Sequence, residues 1–261
     1  MHDVRLKIVI ERLLARTFAR RDAPWLLKGG FAMELRYRPQ ARTTKDLDLS
    51  VPGAPGGQRA DRDAIRTQIQ EAADIDLGDH LSFRIGAAKG ELPGAPLGGG
   101  AFPVVAMLAG KEYARFHIDV GVGDAVFGEP EVLIGEDSLA FAQIAPARVL
   151  AIPKAQQFAE KIHAYTHQWT DRTNTRTKDL VDLVLFIERG DLDAAAVKAA
   201  LRATFATRRS HPLPSSLDFP PEQWRTEFLA MAEQTGLTAR TIDAAFGTLA
   251  HFWATNGLGA K

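Results

Sequence analysis

The chain has 261 residues, enough for one large domain or two modest ones, either able to bury a full core. Hydrophobic residues make up 46% and charged residues 25%, an ordinary globular balance that excludes a disordered or fibrous chain. Its 32 basic residues are matched by 32 acidic ones, which excludes binding through gross positive charge but not through a local basic surface. There are no cysteines, hence no disulfides, no thiolate nucleophile and no Cys-based zinc site.

The N-terminus, Met1-His2-Asp3-Val4-Arg5-Leu6-Lys7, is charged and then amphipathic, without the apolar block of a signal peptide. No apolar run approaches the 18 or more residues that a membrane span needs. The expectation is a soluble, cytoplasmic protein.

Apolar residues at Leu6, Val9, Ile10, Leu13, Leu14 and Phe18 predict a helix over 3–20, with charged residues off the stripe. Trp25-Leu26-Leu27 runs into Lys28-Gly29-Gly30, and Phe31 to Tyr37 reads as a short helix after the glycine turn. Asp46-Leu47-Asp48-Leu49-Ser50-Val51 alternates strictly, as a strand with one apolar and one acidic face does. A loop over 52–57 and a helix over 61–73 follow, with Ile65, Ile69 and Ala72 on its inner side. Leu81 to Ile85 is a strand and 92–100 a Pro/Gly-rich loop. The segments 103–108 and 114–122 form a hairpin around Ala109-Gly110-Lys111-Glu112.

Beyond about residue 150 the texture becomes helical. Pro153 suits the first turn of a helix that runs to about Thr166. Further helices are predicted over 178–188, 192–205, 221–234 and 238–253, with a proline-rich break at 207–220. The predicted organisation is α+β: a mixed sheet domain over 1–150, then an all-helical bundle over 151–261.

Chemistry concentrates in Leu27-Lys28-Gly29-Gly30-Phe31 and, after residues 32–45, Asp46-Leu47-Asp48. Carboxylates at i and i+2 on a strand share a face, where they repel each other unless a metal or a cationic partner neutralises them. A Gly-Gly turn entering a helix leaves backbone N–H groups open to phosphate oxygens. Metal beside phosphate is the machinery of phosphoryl or nucleotidyl transfer. Taken singly, an Asp-x-Asp is as readily a solvated strand face and a Gly-Gly an ordinary turn; their order and spacing favour the chemical reading. In Arg115-Phe116-His117-Ile118-Asp119-Val120-Gly121-Val122 the apolar residues face one way and Asp119 the other. If that strand lies beside the acidic one, Asp119 joins the cluster as metal ligand or as base toward an attacking hydroxyl. Otherwise it is a charge on an open hairpin face.

These residues resemble the nucleotidyltransferase superfamily in the version carried by AbiEii/AbiGii-type toxins. The resemblance rests on Lys28-Gly29-Gly30-Phe31-Ala32-Met33-Glu34-Leu35-Arg36 with Arg42-Thr43-Thr44-Lys45-Asp46-Leu47-Asp48-Leu49. In the helical half it rests on Phe158-Ala159-Glu160-Lys161-Ile162-His163-Ala164 with Arg176-Thr177-Lys178-Asp179-Leu180-Val181-Asp182-Leu183, so the motifs bracket 25–190. It implies a nucleotidyltransferase-fold domain whose cleft is completed by a helical bundle. It also implies transfer of a nucleotide from an NTP with Mg²⁺ (or Mn²⁺), toxicity restrained by a cognate antitoxin, and, as in MenT-type toxins, the 3′ end of tRNA as acceptor.

Carried over by position, the resemblance implies that Asp46, Asp48 and Asp119 hold the metal and that Lys28, Gly29, Gly30 and Arg42 contact the nucleotide. It further makes Lys161 a triphosphate contact and Asp179 a second catalytic or orienting acid, with Asp182 ranked below it. The bland alternative for Lys161 and Asp179 is an exposed helix pair. Phe31 stands where the superfamily usually has Ser or Thr, so a phosphate-directed hydroxyl is missing there.

Three local basic clusters bear on a polynucleotide partner: Arg36, Arg38, Arg42 and Lys45; Arg172, Arg176 and Lys178; and Arg202, Arg208, Arg209 and His211. Scattered solvated arginines are the alternative. His163-x-x-x-His167 has helical metal spacing, but Ala164 replaces the glutamate of a zinc-protease motif. Ser215-Ser216 has no His/Asp context for a nucleophile. The readings that stay open beside a toxin are an aminoglycoside-type transferase acting on a small acceptor and a degenerate transferase fold that binds nucleic acid or a partner.

Overall fold

The computed structural model describes every residue except 1, 54–56, 93, 169–173 and 260–261. Arg172, Pro93 and the middle of the 52–57 loop therefore lie outside the described residues. Among the described residues are eight α-helices and seven strands, and the class is α+β. The chain divides into two compact units. One gathers the N-terminal segment to Arg36 with Thr43–Asp124 and Pro130–Ile152; the other gathers Tyr37–Arg42, Ala125–Glu129 and the chain from Pro153 onward.

All seven strands belong to the first unit. They are β1 (Leu26–Lys28), β2 (Asp46–Val51), β3 (Leu81–Ile85), β4 (Gly99–Leu108), β5 (Lys111–Val122), β6 (Glu131–Ile134) and β7 (Arg148–Ala151), in the spatial order β3-β4-β5-β2-β1-β7-β6. The β2–β5 and β1–β7 pairs are parallel, and the other neighbours are antiparallel. The β4–β5 hairpin is longer than its sequence pattern suggests. A two-residue turn closes it, with Ala109 and Gly110 both at positive φ, the twist that favours tight hairpins. Strands β6 and β7 have no counterpart in the sequence reading: four residues are too few for a period-2 signal to stand out.

Alternation decides which face of the sheet is buried. Leu47 and Leu49 of β2, Phe102, Val104 and Ala106 of β4, and Phe116, Ile118 and Val120 of β5 form one core with the apolar stripe of α1 (His2–Thr17). Helix α3 (Arg62–Ala73) is capped by Asp61, whose side chain accepts from the Asp63 and Ala64 amides, and it adds Ile65, Ile69 and Ala73. Its inner face thus ends on Ala73, not Ala72. Phe31, Ala32 and Leu35 of α2 (Gly29–Tyr37) join the same core.

The second unit is helical: α4 (Lys154–Thr166), α5 (Thr177–Arg189), α6 (Ala194–Arg208), α7 (Arg225–Thr235) and α8 (Ile242–Thr255). Pro153 sits just ahead of α4 at its cap, where its missing N–H costs nothing. Helix α5 packs against α4, α7 and α8, and every residue from Thr177 to Phe186 except Lys178 is buried. It ends where Gly190 adopts φ +69, the left-handed turn that glycine accepts without strain.

Candidate active site

In the first unit the sheet assembles the acidic residues. Strand β2 lies parallel to β5 with Asp46 opposite His117 and Asp48 opposite Asp119, while Lys28 of β1 lies opposite Asp48 on the other side. Paired residues in register project to the same face, so Lys28, Asp46, Asp48, His117 and Asp119 share the face away from the apolar core. Asp46 and His117 are exposed; Asp48 and Asp119 are half-buried. Burial is the main cause that raises the Asp119 pKa, and the negative charge of Asp46 adds to it, against a smaller opposing effect of His117.

The glycine turn lies against this face. Gly29 opens α2 with φ +67, and a Cβ on it would fall 1.9 Å from Asp48 Oδ2. Only a residue without a side chain lets the carboxylate approach the start of the helix so closely. Phe31, two residues on, is fully buried in the core. Its side chain serves packing, and any phosphate contact at this turn falls to backbone amides.

The donor set is all oxygen, the preference of a hard cation such as Mg²⁺. The negative charge of Asp46 adds to the burial that raises the Asp119 pKa, and a cation between them would offset that repulsion. In chemistry, therefore, the residues fit a divalent metal. Among the described residues, however, no three acidic or imidazole groups already close around one point.

Lys28 has a partner that sequence reasoning missed. Its ammonium donates to Asp124 Oδ2 at 2.5 Å, and the Asp124 side chain is 2% exposed. No local motif marks Asp124; the pairing spans 96 positions and arises only when β1, β2 and β5 are laid side by side.

The second-unit candidates form a separate network. Asp182, fully buried, accepts two hydrogen bonds from Arg42, Nε at 3.1 Å and Nη2 at 3.0 Å, and one from Lys161 Nζ at 2.6 Å. Lys161 also reaches Asp179 at 3.2 Å, and Arg176 stands 3.6 Å from Asp179. Burial opposes the charge on Lys161, yet Asp182 and Asp179 outweigh both burial and Arg42, and the lysine pKa rises. Lys161 is 6% exposed, so it is not the exposed helix lysine of the bland reading. Asp182, ranked second from sequence, is the hub.

The basic clusters are partly spent on internal pairs. Arg36 binds Glu131 and the Ile152 carbonyl, Arg42 binds Asp182, and Arg208 binds Glu160. Lys45, Arg176 and Lys178 are exposed. His163 and His211 share Ser210 Oγ, at 2.9 Å each, and His211 Nε2 lies 2.8 Å from Thr166 Oγ1. Ser215 offers its backbone carbonyl to Trp253.

The family model described as "Nucleotidyl transferase AbiEii toxin, Type IV TA system" matches residues 12–250. Among solved structures, the nucleotidyltransferase toxin MenT4 from Mycobacterium tuberculosis H37Rv is similar over 96% of this chain and 82% of its own. The identity is 17% and the TM-score 0.58, a likeness of fold. The antibiotic-resistance factor ANT(2″)-Ia is similar over 79% of this chain and 94% of its own, at 19% identity and a TM-score of 0.43. A nucleotidyltransferase-like protein from Paracoccidioides brasiliensis is similar over 78% and 88%, at 15% identity and a TM-score of 0.39. No curated protein matches significantly. Among the described residues no helix is long and apolar enough to cross a membrane.

Proposed function

The chain belongs to the AbiEii nucleotidyltransferase toxin family, and we propose that it is a metal-dependent enzyme transferring a nucleotide from an NTP to an RNA acceptor, such as the 3′ end of tRNA. In this reading it is the toxin of a pair whose antitoxin is encoded separately. The observation that carries the proposal is the β2–β5 register, which sets Asp46, Asp48 and Asp119 on one face beside the Gly29–Gly30 turn.

On this reading Asp46, Asp48 and Asp119 hold Mg²⁺, which when bound neutralises charge that builds up on the phosphates. The amides at the start of α2 and the Lys28 ammonium orient the triphosphate. The acceptor hydroxyl attacks the α-phosphorus; a new P–O bond forms, the bond to the departing pyrophosphate breaks, and the hydroxyl proton passes to a carboxylate on the acidic face. Asp119, opposite Asp48 across the β2–β5 pair, is placed for that role. In the second unit, Asp182 and Asp179 hold Lys161 in place as a cation.

The test is incubation of the purified chain with each labelled NTP, Mg²⁺ and total tRNA. Label on RNA is expected with wild type and absent with Asp46→Ala or Asp48→Ala, while Asp119→Asn is severely impaired. Label only on a small hydroxylated acceptor would replace the RNA assignment, and no label with any acceptor would overturn the transferase reading. In a bacterial host, wild type is expected to slow growth and Asp48→Ala to relieve it; equal toxicity would remove the catalytic explanation.

A further inference from the structure

We propose that Asp124 is a positioning residue for Lys28: its buried carboxylate holds the lysine ammonium at the edge of the acidic face as the cation that meets the NTP phosphates. The inference rests on the nucleotidyltransferase reading above and assigns a role to a residue outside the acidic and glycine motifs.

The pair's location is set by the sheet. Lys28 starts opposite Asp48, and the pair sits over Gly121, which lies opposite Ser50 one row along the same face. A Cβ on Gly121 would lie 3.7 Å from Lys28 Nζ and 3.8 Å from Asp124 Oδ2. The lysine stem therefore leaves β1 and crosses β2 toward β5. It ends on a carboxylate anchored just beyond β5. The chain just ahead of Asp124 is tied to its neighbours: the Leu97 amide donates to the Val122 carbonyl and the Val122 amide to the Gly98 carbonyl, both at 3.0 Å, and the Gly123 amide donates to the Val51 carbonyl.

Burial makes the pairing consequential for Asp124, whose side chain is 2% exposed. A carboxylate withdrawn from water is costly unless it is compensated, and the Lys28 ammonium at 2.5 Å supplies positive charge for it. The Lys28 side chain stays 15% exposed, so a phosphate oxygen arriving from solvent can share the ammonium with Asp124. Without Asp124, a long flexible lysine rooted opposite Asp48 would settle on the Asp48 or Asp119 carboxylate. There it would compete with the metal.

The experiment titrates each Mg·NTP into the full chain by calorimetry, follows thermal melting, and then varies Mg²⁺ at fixed NTP. Asp124→Asn is expected to melt cooperatively yet bind NTP about tenfold or more weakly, the size of a lost charge-assisted contact. The Lys28→Met/Asp124→Asn double variant should bind no more weakly than Lys28→Met alone, because both act through one ammonium. The Mg²⁺ needed for half-maximal NTP binding should rise in Asp124→Asn and return toward wild type in the double variant, where no lysine competes. Should Asp124→Asn fail to fold, Asp124→Glu keeps the charge and moves the ammonium by one methylene, with the same loss expected. Wild-type NTP affinity in the Asp124 variants, or losses that add fully in the double variant, would overturn the proposal while leaving the transferase reading intact. If wild type binds none of the four nucleotides, the transferase reading itself falls and takes the proposal with it.

Discussion

Gly29 and Asp48 are in steric conjunction: the aspartate carboxylate fills the space that a side chain on residue 29 would occupy. The glycine also holds φ +67, a conformation that costs an L-residue roughly 1–2 kcal/mol. Gly29→Ala is therefore expected to push Asp48 away from the start of α2. Transfer should fall at least a hundredfold while thermal melting shows a loss of only about 1–2 kcal/mol. Activity near wild type would mean that the Gly29–Asp48 approach plays no part in the chemistry.

The Arg42–Asp182–Lys161 network predicts an unequal response to removing its two acids. Asp182 is the shared acceptor for two cations and is 1% exposed at its side chain, whereas the Asp179 side chain is 13% exposed. Asp182→Ala leaves buried cations uncompensated, at about 3–5 kcal/mol. Asp179→Ala should cost clearly less, on the order of 1–2 kcal/mol. Urea unfolding checks this, and equal losses at the two positions would remove Asp182 as the hub. Lys161 has its pKa raised in the folded state, so the stability it supplies is complete below its ordinary value of 10.5 and lost as pH rises through the higher folded value. Neutral-pH measurements therefore see the full network.

Asp79 should govern part of the acid limb of stability. Its carboxylate accepts from Arg16 Nη1 and Nη2 and from Arg12 Nε, and the Leu81 amide adds a fourth bond. Burial pushes its pKa up, but these partners prevail and hold it at about 2, against an ordinary 3.8. A depressed carboxylate stabilises the fold fully above its unfolded pKa and loses that contribution as pH falls through the folded value. Wild type should lose about 2 kcal/mol between roughly pH 4 and pH 2 from this group. Asp79→Asn is expected to be less stable by about 3 kcal/mol or more at neutral pH, with the gap narrowing across that window. A pH-independent gap in urea titrations would assign the loss to packing.

Much of the local structure was legible because local forces decide it. The alternation of Asp46 to Val51 and the turn residues around it define β2 to the residue, and the stripe from Leu6 to Leu14 makes α1 amphipathic wherever it packs. Gly190 ends α5 by a backbone conformation that needs no tertiary partner. The acidic pair and the glycine turn also belong to this class, since i and i+2 on a strand share a face in any sheet.

What the sequence could not determine is which strand lies beside which. Asp119 meets Asp48 only because β5 docks parallel to β2, and a shift of one residue in that register would have turned it into the core. Strands β6 and β7, four residues each, exist because the sheet offers them hydrogen-bonding neighbours, not because their own pattern demands it. The same holds for the ionic partners. Lys28 finds Asp124 across 96 positions, Arg42 finds Asp182 across 140, and Arg12 finds Asp79 across 67. A charged side chain in sequence is compatible with any partner of opposite sign. Burial selects one of them, because only the tertiary fold withdraws the charge from water and makes a particular pairing obligatory.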